Sequence, residues 1–339
     1  MKAFVTGGTG FVGANLVRSL LQDGHEVRVL VRHESRLDNL RGLEIELVRG
    51  DLNDPDLSPK MVGCDGLFHV AAHYSLWQSD RPRLLQANVL GTRNVLAAAR
   101  QAQVNRTVYT SSVAAIGVGS QNSQGRDAQG QSVDESHQSP VEKLMGHYKK
   151  SKYLAEQEAV KAAQAGQDIV IVNPTSPIGP WDLKPTPTGD IILRFLRRQM
   201  PVYVETGLNF IHVQDVAQGH LLAFQKGKTG DRYILGHQNL TLKQVLDQLS
   251  QITGIPAPRR SIPAWIPLSV AWVDECLLAP LLEPWGKAPS IPIDGVRMAK
   301  QPMYYDSSKA IAQLGLPQTP ISVALKDAVD WFVSNGYTH

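Results

Sequence analysis

The sequence predicts an α/β protein: a doubly wound parallel sheet followed by a smaller, mixed α/β domain. Three observations predict it. Strand and helix patterns alternate through the first half, a glycine-rich turn joins the first such pair, and the rhythm loosens after Pro174. With 339 residues the chain is too long for one small core and suits two domains. The expected partition is 1–175 and 176–339, with the stretch around 205–225 returning to the first domain.

Each element has its own signal. KAFVT at 2–6 is a short apolar strand, and 11–22 has helical spacing with Gly24 as a stop. EVRVLVR at 26–32, residues 44–52 and GLFHVAA at 66–72 read as further strands. A long helical pattern covers 83–102. RTVYTSS at 106–112, a helix over 146–165 and DIVIVNP at 168–174 complete the series. Val/Ile-rich strands alternating with helices imply a parallel sheet covered on both faces. Residues 119–132 hold 11 Gly, Ser, Gln or Asn among 14 and read as a mobile surface loop. Five prolines (Pro174, Pro177, Pro180, Pro185, Pro187) mark an irregular connection between domains, and an amphipathic helix is expected near 322–333.

Composition narrows the function. Thirty-four basic and 31 acidic residues give a net charge of +3, with no basic stripe, which argues against nucleic acid. Cys64 and Cys276 are the two cysteines, which excludes a disulfide framework. No His or Cys spacing suggests a metal. The first strand begins at Lys2 with no targeting pattern before it, so a cytoplasmic location is expected. The apolar stretch 261–285 is cut by Asp274, Glu275 and four prolines, so a helix of the second domain is expected rather than a membrane span. A greasy lid or lipid-facing patch is its alternative.

TGGTGFVG, 6–13, lies between the first strand and the first helix. Gly7, Gly10 and Gly13 suit a tight turn, close approach to a pyrophosphate and close helix–strand packing, the Rossmann pattern. Thr9, Phe11 and Val12 complete the expected cofactor loop, and the helix N–H groups beyond it favour phosphate. About 20 residues on, a site for NAD usually carries a carboxylate for the ribose 2′-hydroxyl. Here Arg32 stands there, followed by His33 and Arg36. A guanidinium can bind a 2′-phosphate, so NADP(H) is favoured, with NAD(H) left open. A solvated arginine is the plainer reading.

YKKSK puts Tyr148 and Lys152 on one helix face. A phenol with a reference pKa near 10 is a poor base at neutral pH, and a nearby cation lowers it by about 1–3 units. Tyr148 could then carry the proton that accompanies hydride transfer. Ser112, at a C-terminal strand end where ligands of open parallel sheets bind, could hold the substrate oxygen. Each signal is weak alone; their order makes the set specific.

Together these segments resemble the extended short-chain dehydrogenase/reductases over nearly the whole chain. The glycine loop, Asp51–Leu52, VAA at 70–72, NVLGTRNVL from Asn88, YTSS, YKKSK, NPTSPIGP from Asn173 and FIHVQDVA from Phe210 carry the likeness. The resemblance implies Ser112, Tyr148 and Lys152 as catalytic triad, with Lys152 also on the nicotinamide ribose. It implies Asp51 and Leu52 against adenine, Ala71 and Ala72 along the cofactor channel, Asn88 supporting the site, and Pro174 and Ser176 near the nicotinamide. A homodimer is expected on the same ground. Dihydroflavonol-reductase-like members share the arginine and the NPT segment. HVAAHYSLW, GHYKKSKYLAEQE, LKPTPTGDII and GLNFIHVQDVAQGHLLA are similar to a hopanoid-associated group named as sugar epimerases. Dehydration is disfavoured, because Val113 and Ala114 follow Ser112 where dehydratases carry an acidic pair.

His73, Tyr74 and Trp77 follow a strand end and could face a small-molecule substrate; packing is the alternative. Lys184 and Arg194 could hold a phosphate, or simply be solvated. The expectation is an NADP(H)-dependent oxidoreductase acting on a ketone or secondary alcohol. The alternatives are a sugar or sugar-nucleotide epimerase with a transiently reduced nicotinamide, and a non-catalytic dinucleotide sensor, which would not need the triad.

Overall fold

The structure is a computed structural model that describes residues 1–118, 132–263, 265–275, 293–298 and 302–338. The expected loop at 119–132, apart from Ser132, lies outside them, as do Cys276 and much of the apolar stretch. Of that stretch, a short strand (Ser261–Ile262) and a helix (Trp265–Val273) are described. No helix among the described residues is long and apolar enough to cross a membrane.

In chain order the strands are β1 (Lys2–Thr6), β2 (Glu26–Val31), β3 (Glu46–Arg49), β4 (Gly66–His69), β5 (Arg106–Thr110) and β6 (Ile169–Pro174). They continue as β7 (Ser176–Ile178), β8 (Tyr203–Val204), β9 (Gly207–His212), β10 (Arg232–Leu235) and β11 (Gln238–Thr241). Seven build one parallel sheet in the order β10-β6-β5-β4-β1-β2-β3. Chain order reverses at β1, and the glycine loop opens at that switch point, where such sheets bind ligands.

Alternation within the buried strands assigns each side chain to a helix layer. Ala3 and Val5, Val108, Val170 and Val172 face one core with α1 (Phe11–Gln22) and α8 (Val213–Lys226). Phe4, Tyr109, Ile169 and Ile171 face the other side. There the small Ala155 and Ala159 of α6 (His147–Gln164) pack beside Leu96 of α4 (Gly91–Gln101). β6 is buried at every position, which is why Ile169–Val172 read as a continuous apolar run before the buried Asn173.

The helical pattern at 83–102 is not one regular helix. A short turn, Arg81–Leu84, passes into a π-helical turn, Leu85–Leu90, before α4. A π turn holds an extra residue and often marks a functional site. This one carries Asn88.

Past β6 the chain forms a second sheet, β11-β9-β7, with β7 parallel and β11 antiparallel to β9. It packs with α7 (Pro187–Leu196), α9 (Leu242–Thr253) and the last helix, Ile321–Ser334, around Phe210, Leu246, Leu325 and Phe332. Between these elements the chain revisits the large sheet: α8 covers α1, and β10 extends the edge beside β6. Phe332 is 1% exposed. Phe332→Ala should therefore cost about 3–5 kcal/mol, lowering Tm by roughly 6–20 °C in thermal melts. A drop under about 2 °C would show that this core tolerates the cavity.

Candidate active site

The glycine loop is built by close backbone approach. Gly7 has φ +75°, and a Cβ there would sit 2.6 Å from the Ala71 nitrogen. A Cβ on Gly13 would lie 2.1 Å from the Gly7 carbonyl oxygen, which accepts the Gly10 N–H at 3.0 Å. A Cβ on Gly8, a residue outside the three-glycine spacing, would lie 2.6 Å from Val29 Cγ1. Gly10 caps α1 without a side-chain hydrogen bond, leaving first-turn N–H groups for a ligand. This cradle fits a dinucleotide pyrophosphate. Phe11 opens the helix and half-buried Val12 packs on the core.

Two buried asparagines, unremarked in the sequence, fasten the loop to the segment after β7. Asn15 donates to the carbonyls of Phe11 (2.9 Å) and Pro180 (3.1 Å). Asn39 donates to those of Thr9 (3.1 Å) and Trp181 (3.2 Å). The Arg18 guanidinium stacks 3.5 Å from the Trp181 ring centre. No spacing rule marks such residues, because their partners lie far along the chain.

Beyond β2, Arg32 is exposed and pairs with Glu34 at 3.3 Å; Arg36 pairs with Asp38 at 3.0 Å. Asp51 accepts from the Asn53 backbone (3.0 Å) and side chain (2.9 Å), a turn of its own. Leu52 packs against Gly91, where a Cβ would be 3.1 Å away. Ala71 lies under Gly7 and donates its N–H to Thr6 Oγ1 (3.3 Å); Ala72 is exposed.

Ser112, just past β5, caps the short helix Val113–Ile116 and accepts the Ala114 N–H at 3.1 Å. The Tyr148 phenol, in the first turn of α6, feels the nearby Ser112 hydroxyl. Burial pushes its pKa up to about 12, against the pull of that hydroxyl. Lys152 follows one turn on, 3% exposed, and donates to the Thr110 carbonyl at 2.9 Å. Burial lowers its ammonium to about 8, while Glu156 pulls it back up. Glu156, another turn on, is fully buried, accepting from Asn173 (2.8 Å) and Arg232 (3.1 Å). The Lys–Glu spacing of one helical turn was its only sequence signal.

Asn88 ties two segments together. It accepts from the His73 N–H (2.7 Å) and donates to the His73 carbonyl and to Ser151 Oγ, both at 3.0 Å. Tyr74 consequently meets Tyr148 edge-on, ring centres 4.6 Å apart. Burial lowers the His73 pKa; Asp80, 3.8 Å away, opposes this and the exposed Lys184 adds to it. Trp77 is half-buried in the same loop. Pro174 ends β6, and Ser176 opens β7 opposite Phe210. Arg194 is not brought into this group: it pairs with Asp190 on α7 at 2.6 Å.

A Rossmann sheet with a glycine turn after β1, a serine at the end of β5 and a tyrosine and lysine one turn apart on α6 is the arrangement of an NAD(P)-dependent short-chain dehydrogenase/reductase of the extended type. The chain belongs to the NAD-dependent epimerase/dehydratase family, whose model matches residues 3–236. It is 65% identical to a Synechocystis protein carrying the provisional name dihydroflavonol 4-reductase, over 98% of this chain and 95% of that one. It is 35% identical to sterol demethylase protein B of Methylococcus capsulatus, over 99% of both. Among solved structures, gox2253 matches with a TM-score of 0.85 and 42% identity, covering 99% of each chain.

Proposed function

We propose that the protein is an NADP(H)-dependent ketoreductase of the dihydroflavonol-reductase-like type. The observation that carries this reading is Ser112 at the end of β5 beside the Tyr148 phenol of α6, with buried Lys152 one turn away. Bound nicotinamide supplies the hydride to a substrate carbonyl carbon. Ser112 holds the carbonyl oxygen, and Tyr148 donates the proton that makes it an alcohol. Lys152, kept cationic by Glu156, offsets the phenolate left behind. We assign cofactor contacts to the glycine loop, Asp51, Leu52, Ala71, Ala72, Pro174 and Ser176, and substrate contacts to His73, Tyr74 and Trp77. We take 1–175 as the dinucleotide-binding domain and the remainder as mainly substrate-binding, with α8 and β10 serving the first.

The test is NADPH consumption against a ketone panel, run beside NMR of candidate sugar nucleotides with catalytic NADP⁺. Interconversion of two epimers without net nicotinamide absorbance change would replace this reading with an epimerase. For the cofactor, Arg32→Asp should weaken NADP(H) by about 10- to 100-fold and leave NAD(H) unchanged or tighter. Glu34 would then lose its partner, and its charge would add to the repulsion of a 2′-phosphate. Wild-type dissociation constants equal for the two cofactors would refute the preference.

A further inference from the structure

Lys149, beside Tyr148 in the first turn of α6, is a buried cation with no anion against it among the described residues. The residue is 4% exposed, and its ammonium donates to the Met303 sulphur at 3.7 Å, its one hydrogen-bond partner among the described residues. A thioether is a weak acceptor that leaves the charge uncompensated. Burial lowers its pKa, and no carboxylate among the described residues pulls it back up. Its place in the helix adds to the cost. Gly146 is the N-cap, so Lys149 is the third residue of α6, where the helix dipole disfavours a cation, and Lys150 and Lys152 crowd the same end.

Its position is also specific. Met303 is strapped to β9: its N–H donates to Gly207 O, and its carbonyl accepts the Asn209 N–H, both at 2.9 Å. The ammonium is thus held between the turn that carries Tyr148 and the second sheet. An uncompensated buried charge at such a place calls for an incoming partner.

We propose that Lys149 is the counter-ion for an anionic oxygen group, carboxylate or phosphate, carried by the substrate. This rests on Tyr148 marking the substrate site. It narrows the substrate class to acidic carbonyl compounds, and makes Lys149 a specificity-determining residue.

The test compares wild type with Lys149→Met, which keeps length and apolar contact but removes charge. With NADP⁺ saturating, hexanoate, hexyl phosphate and hexanol are titrated by calorimetry. At least one anion should bind wild type about tenfold or more tighter than the variant, with hexanol bound alike. Anions that bind both proteins equally, or neither, would overturn the proposal. In turnover with NADPH, acetoacetate should lose about tenfold or more in kcat/KM relative to ethyl acetoacetate. Equal losses for acid and ester would overturn it too. If neither compound is reduced while hexanoate still binds through Lys149, the ketoreductase reading fails and the anion site stands. The variant should melt no lower than wild type, since a costly charge has gone; a clear drop would assign the lysine to packing and overturn the proposal.

Discussion

Tyr148→Phe is expected to lower kcat by about 100-fold or more while NADP(H) dissociation stays within a few-fold. The substitution deletes one oxygen and keeps the ring that Tyr74 meets edge-on, so the local packing survives. What disappears is the hydroxyl beside Ser112, the group assigned to hand its proton to the substrate oxygen. With its pKa pushed up to about 12, the phenol holds its proton at neutral pH and suits a donor. Giving that proton away requires a cation beside it, and Lys152, backed by buried Glu156, is the one the helix provides. Single-turnover rates separate chemistry from binding. Retention of more than about a tenth of the rate would remove Tyr148 from the proton path.

Gly13→Ala should reduce NADPH affinity by roughly 100-fold and cost about 1–3 kcal/mol of stability. The added methyl would meet the Gly7 oxygen at 2.1 Å, the Gly7 carbonyl carbon at 2.7 Å and Gly8 Cα at 2.9 Å. All three are backbone, so no rotamer can give way. The loop must shift, disturbing the Gly10 N–H bond to Gly7 and the approach of Gly7 to Ala71. Gly10→Ala provides the graded comparison, because its nearest neighbour would be 3.3 Å away. Fluorescence titration with NADPH should therefore rank Gly13→Ala well below Gly10→Ala. Similar affinities for the two variants would show that the cradle is looser than its contacts imply.

Much of the fold is legible because local patterns report local geometry. The apolar runs of β1, β5 and β6, the glycines of the first turn, and the spacing of Tyr148 and Lys152 each express a backbone requirement within a few residues. Strand ends were read too long for a physical reason. Residues 70–72 and 111–112 are as apolar or small as strand residues, yet the chain leaves the ladder where side chains capture it. Thr6 holds the Ala71 N–H, Asn88 binds both backbone groups of His73, and Ser112 caps the next helix. The π-helical turn behind Asn88 was equally invisible, since an extra residue in a turn leaves a helical pattern nearly unchanged.

What the sequence by itself determined is the layered α/β fold and the family, read from the glycine turn after β1 and the spaced serine, tyrosine and lysine. Only the tertiary structure decided how those groups are tuned. Buried Glu156 raises the Lys152 pKa while Arg232 and Asn173, 76 and 17 residues away, share its carboxylate. Arg194 turns toward Asp190 rather than the site, and Lys149 is held against Met303, 154 residues on. Burial and charge pairing depend on neighbours brought together by packing, so no local pattern encodes them.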